Sequence, residues 1–104
     1  MSAIKQPPKI YQLKIILNHI KPEIWRRFQV RSDVKLTRMH DIIQIVMGWE
    51  DYHLYAFDVG SSKYAHPDSI EDDEYDLGYQ DASRVRLTDA LPHFGDKCRY
   101  RYDF

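Results

Sequence analysis

Apolar and polar residues alternate from Lys9 to Leu17. In an extended chain, Tyr11, Leu13, Ile15 and Leu17 fall on one face, and Ile10, Gln12, Lys14 and Ile16 on the other. That is the pattern of a half-buried strand. Asn18-His19-Ile20-Lys21-Pro22 supplies turn-forming residues, and Glu23 to Arg31 reads as a second strand. Here Ile24, Phe28 and Val30 share one face, interrupted by Arg26, while Trp25, Arg27, Gln29 and Arg31 share the other. The two runs predict an antiparallel hairpin.

The period then changes from two to 3.6. Leu36, Met39, Ile42, Ile43, Val46 and Met47 follow helical spacing, which predicts a helix over 37–47 with Thr37 as N-cap and Gly48 just past its end. His53 to Val59 reads as a strand, Gly60-Ser61-Ser62 as a turn, and residues 63–65 as a further short strand. Residues 67–83 are rich in acids, so their like charges predict a solvated loop. Val85 and Leu87 resume apolar alternation, and Thr88 is placed to cap a short helix through Leu91, closed by Pro92 and Gly95. Lys97 to Phe104 predicts a last strand, with Cys98, Tyr100, Tyr102 and Phe104 on its buried face. Residues 1–8, ending in Pro7-Pro8, form a flexible leader. The order β-β-α-β-(β)-α-β implies one α+β domain over 1–104, a mixed sheet with one main helix packed on one face, β-grasp-like or a related roll.

Composition adds bounds. The chain has 104 residues, of which 43% are apolar and 13% aromatic, enough for a core and too many for global disorder. Its longest apolar runs are a few residues, which excludes a membrane-spanning helix, and no secretory signal is visible at Met1-Ser2-Ala3-Ile4-Lys5. The single cysteine, Cys98, forms no internal disulfide, so a cytoplasmic location is expected. Net charge is −1, but it is a cancellation: residues 1–40 carry +7, residues 41–83 carry −10 and the remainder +2. A basic hairpin and an acidic middle result.

Nucleic-acid contact is the chemistry the residues suggest first. Lys14, Trp25, Arg26, Arg27 and Arg31 combine cations for phosphates with an aromatic ring for stacking. Against this, the sequence pI is about 6.5, and a structural Trp with charge-balancing arginines explains the same residues. His40-Asp41, His53, His66-x-Asp68 and His93 lack metal-ligand spacing, the acids of 68–76 do not match a calcium loop, and no glycine-rich phosphate loop is present. No metal and no cofactor are expected.

Several dispersed motifs, in order, resemble the plasmid pRiA4b ORF-3-like family of prokaryotic proteins. They are Tyr11-Gln12-Leu13-Lys14, Ile20-Lys21-Pro22-Glu23-Ile24-Trp25-Arg26-Arg27, Leu36-Thr37-Arg38-Met39-His40-Asp41-Ile42-Ile43-Gln44, Met47-Gly48-Trp49, His53-Leu54-Tyr55-Ala56-Phe57 and Tyr100-Arg101-Tyr102-Asp103-Phe104. The resemblance implies an uncharacterised protein, associated with plasmids, transposons or other mobile elements, and no established reaction. The family pattern continues past this last strand with Gly-Asp-x-Trp-x-His, beyond Phe104, which implies a short member or a fragment of a longer one. An edge strand without a neighbour invites pairing with another chain. The expected function is therefore a non-catalytic interaction module that binds a protein partner, or itself, through a sheet edge, with no membrane contact. An accessory nucleic-acid-binding domain using the basic hairpin is the alternative. Phosphodiester chemistry with His and Asp residues, implied only by resolvase-like names of relatives, is the remote alternative; serine recombination is disfavoured, because the serines lie in the leader, turns or loops without an arginine constellation.

Overall fold

In the computed structural model, residues 9–50, 53–71 and 78–102 are described. The elements are β1 (Ile10–Ile16), β2 (Trp25–Arg31), α1 (Leu36–Met47), β3 (Tyr55–Val59), β4 (Ser62–Ala65), α2 (Pro67–Glu71), β5 (Tyr79–Asp81), α3 (Leu87–Ala90) and β6 (Arg99–Tyr102). A 3₁₀ turn at Ala82–Arg84 joins β5 to the segment before α3.

β1 and β2 form the expected antiparallel hairpin, in register from Ile10 opposite Arg31 to Ile16 opposite Trp25. They make a two-stranded sheet of their own. Leu17 N–H donates to the Ile24 carbonyl (3.0 Å) and Ser32 N–H to the Lys9 carbonyl (2.8 Å). Because hydrogen-bonded pairs alternate along an antiparallel ladder, Tyr11, Leu13 and Ile15 point their backbone groups at β2. Gln12, Lys14 and Ile16 point theirs away from it. The root of the hairpin is fastened to the segment around α3: the Tyr11 hydroxyl donates to the Leu91 carbonyl (3.0 Å) and lies 3.2 Å from Thr88 Oγ1. Leu87 N–H donates to Val34 O and Thr88 N–H to Ser32 O. No such bond reaches the opposite end among the described residues, where the chain turns through His19 (φ 64) and a cis Lys21–Pro22 bond.

The second sheet is mixed, in the order β5-β4-β3-β6, with β4 and β5 parallel and the other neighbours antiparallel. Gly60 opens the two-residue turn between β3 and β4 with φ 59, a conformation that suits the twist of a tight hairpin. Tyr55 and Phe57 of β3 sit opposite Tyr102 and Tyr100 of β6, so one sheet face is aromatic. α1 lies on that face: His40 stacks on Tyr55 at 3.8 Å between ring centroids, and Gln44 Nε2 donates to Tyr100 Oη at 2.9 Å. Leu36, Met39 and Ile43 of α1 are buried with Val30, Phe57, Leu87 and Leu91. Gly48 ends the helix at φ 72, its N–H returning to Ile45 O.

Three local expectations are corrected. α1 begins at Leu36, not after a Thr37 cap; Lys35 is the cap without a side-chain bond, and its backbone is held by a bridge to Arg86. Residues 67–83, expected as a solvated loop, contain α2 and β5, because Tyr79–Asp81 finds a parallel partner in β4; residues 72–77 lie outside the described part. Cys98 is exposed and precedes β6 rather than packing in the core, and Phe104 is outside the described residues. No helix among the described residues is long and apolar enough to cross a membrane.

Candidate functional site

A groove of about 1460 Å³ opens between the hairpin and the four-stranded sheet. One wall is β1 and the residues after it, through Asn18; the opposite wall is β6, with Phe57 and Val59 of β3. Leu36, Met39, Ile43 and Leu91 lie beneath, and the segment from Phe94 to Cys98 forms a lip. Phe94 is fully exposed there, an apolar side chain placed in water by the turn between Pro92 and Gly95. On the hairpin side Leu13, Ile15 and Phe28 are only half-buried. The groove therefore offers an apolar interior to something that enters it.

The other face of the hairpin carries the cation and aromatic cluster expected from the sequence. Trp25 is 45% exposed, with Lys14 Nζ 4.9 Å and Arg27 Cζ 5.5 Å from its ring centroid. Arg31 shares that face, but its guanidinium is bound to both oxygens of Asp33 at 3.1 and 2.9 Å. That hydrogen bonding holds the Asp33 carboxyl below its ordinary pKa. Arg26 stands on the opposite face, its guanidinium donating to the Trp25 carbonyl at 3.0 Å. Four of the five expected residues thus come together, and three of those cations and rings form one contiguous patch. Among the described residues, Lys14, Arg26 and Arg27 enter no ion pair.

Between helix and sheet, polar side chains meet one another. His40 is 4% exposed, and its Nδ1 meets the Tyr100 hydroxyl that also accepts from Gln44. Trp49 stacks on Tyr102 at 5.2 Å, and His53 meets the Tyr102 ring edge-on. A smaller recess of about 350 Å³ brings His40, His53 and His66 to one side of the molecule, beside Asp41 and Asp68. Among the described residues no group of three or more His, Cys, Asp or Glu side chains is placed to hold a metal ion.

On the far face of the sheet, Arg101 of β6 pairs with Asp58 through two bonds of 2.7 and 3.0 Å and donates to the Tyr79 hydroxyl of β5 at 3.0 Å. It thereby reaches from β6 across β3 and β4 to β5. Cys98 touches solvent, yet the protein around it, and secondarily Asp58, disfavour its thiolate and push its pKa up. Access is governed by the exposure; reactivity by the crowding.

The groove, the lip at Phe94 and the arginine strap were not legible from spacing alone, since each joins residues far apart in the chain. Similar proteins carry the same fold. A crystal structure of a protein of unknown function from Methanosarcina mazei Go1, MM3350, superposes with a TM-score of 0.76 at 31% identity, over 93% of this chain and 53% of that one. The uncharacterised protein y4hQ of Sinorhizobium fredii is 36% identical over 96 residues, which are 91% of this chain and 47% of that protein. The chain thus spans about half the length of the curated relative it matches. The pattern of the plasmid pRiA4b ORF-3-like proteins covers residues 9–104, from the root of the hairpin to the end of the sheet, and the chain belongs to that family.

Proposed function

We propose that this protein is a protein-interaction module, working through the groove and the adjacent sheet edge rather than through catalysis. The observation that carries the reading is the groove itself: about 1460 Å³, walled by Leu13 and Ile15 and floored by Leu36, Met39 and Ile43. Open recesses with a largely apolar lining are where proteins most often receive a ligand or partner. The test compares the native chain with Ile15→Glu, after thermal unfolding has verified that both fold. Light scattering across a wide concentration range and pull-downs with identified partners are then run. The reading expects self-association or a specific partner, lost in Ile15→Glu; a strictly monomeric native chain without a partner refutes it.

A second reading rests on a different observation, the exposed Trp25 ring with Lys14 and Arg27 beside it. Such a patch suits single-stranded nucleic acid, with a base stacked on Trp25 and phosphates on the cations. With Lys14 and Arg27 engaged, and Arg31 exchanging Asp33 for a phosphate, log Kd should vary with log salt with a slope of about 2. Arg27→Ala and Arg31→Ala should each lower that slope. Absence of binding at low salt ends this reading.

A further inference from the structure

The edge of β1 that faces the groove is prepared for one more strand. Among the described residues β1 pairs with β2 alone, in a two-stranded sheet, and the ladder alternation leaves the backbone N–H and C=O groups of Gln12, Lys14 and Ile16 directed away from β2. Residues of β1 line the groove and residues of β2 do not. An isolated pair of strands is marginal in water, whereas three with an apolar face are self-supporting. The inward residues Leu13 and Ile15, half-buried beside the groove, are such a face. Finally, the relatives carry about as much chain outside the shared region as within it, since this chain matches 47% of one and 53% of the other.

We propose that the groove receives a single extended segment, hydrogen-bonded to β1 along Gln12–Ile16 and supplied by the polypeptide that the longer relatives carry outside the shared region. This rests on the interaction-module reading and names its occupant. Alternation dictates the segment's chemistry: apolar side chains on the face it shares with Leu13 and Ile15, above Leu36 and Met39. On the other face an acidic residue falls beside Lys14, where opposite charges on neighbouring strands are favourable. Five residues of β1 span about 17 Å, so the contact is short and depends on main-chain bonds as much as on side chains.

The experiment adds the part of the Sinorhizobium protein that lies outside the shared region, as a separate polypeptide, to the full 104-residue chain, and follows amide hydrogen exchange. With that polypeptide at a hundred times its Kd, the amides of Gln12, Lys14 and Ile16 should exchange roughly a hundredfold more slowly. Gln12→Pro removes a donor from the groove-facing edge without taking a bond from the β1–β2 ladder, and should weaken binding by roughly tenfold or more. Gln29→Pro makes the same change on the outer edge of β2, because Gln29 pairs with Gln12, and should bind as the native chain does. Binding that leaves the β1 amides unprotected, or that falls equally in both variants, overturns this inference and leaves the interaction-module reading standing. If the chain instead protects the same amides by pairing with itself, the occupant is a second copy and the proposal is wrong. Neither binding nor self-association overturns both.

Discussion

Replacing Arg101 by Met keeps the length and apolar stem of the side chain while deleting its charge and donors. The change therefore tests the polar contacts rather than the bulk of the side chain. Two unit charges about 4 Å apart attract by about 4 kcal/mol at an effective dielectric of 20, and by about 1 kcal/mol in bulk water. The Arg101 and Asp58 side chains are 28% and 23% exposed, which places the pair between those limits. Solvent screening and the cost of holding both groups out of water reduce it further, to about 2 kcal/mol net. The Tyr79 bond adds roughly 0.5–1 kcal/mol. Arg101→Met should therefore lose about 2–3 kcal/mol of stability in urea unfolding near neutral pH, or a Tm fall of roughly 10 °C or more. A double-mutant cycle with Asp58→Asn should return a coupling of about 1–2 kcal/mol. The hydrogen bonds that Arg101 donates to Asp58 hold the Arg101 pKa above its ordinary value, so the arginine keeps its charge throughout the measurable range. A loss under about 0.5 kcal/mol, or a coupling near zero, would show that the strap across the sheet is incidental.

Three other outcomes follow from the packing. Leu36→Ala removes the one large side chain that is essentially fully buried among the described residues, at 1% exposure, and should cost about 3 kcal/mol in the same assay. Gly48→Ala forces a Cβ into the left-handed region at φ 72 and should cost about 1 kcal/mol, read by the helical signal in circular dichroism during unfolding. Asp81 accepts from the Ser83 side chain and backbone, which lowers its pKa in the folded state. Its contribution is present above the ordinary carboxylate pKa and is lost as the pH falls through the folded value. The urea midpoints of the native chain and Asp81→Asn should accordingly differ near neutral pH and converge below about pH 4.

Much of the architecture is written locally. Alternation from Tyr11 to Leu17 and from Trp25 to Arg31 specified the hairpin and both of its faces, and the 3.6-residue spacing of Met39, Ile43 and their neighbours specified α1. What local patterning omits is decided by distant partners. Leu36 enters the helix because its N–H is taken by Val85 O and its predecessor bridges Arg86, half the chain away. Tyr79–Asp81 becomes a strand because β4 offers it a parallel edge, although its own surroundings read as an acidic loop. Likewise Lys14, Trp25 and Arg27 were visible as a patch from register alone. The groove required knowing that the hairpin stands off from β6 as a separate sheet.

The fastening of the hairpin has a mechanical meaning. Its root is bolted by Tyr11, Ser32 and Val34, and its tip has no comparable tether among the described residues. A beam clamped at one end is stiff against sliding along its axis and compliant against bending, because sliding breaks every bolt and bending breaks few. For the segment proposed to enter the groove, this means that differences in bulk would be met by a change in the beam's tilt, while its alignment against Gln12 and Lys14 would stay fixed.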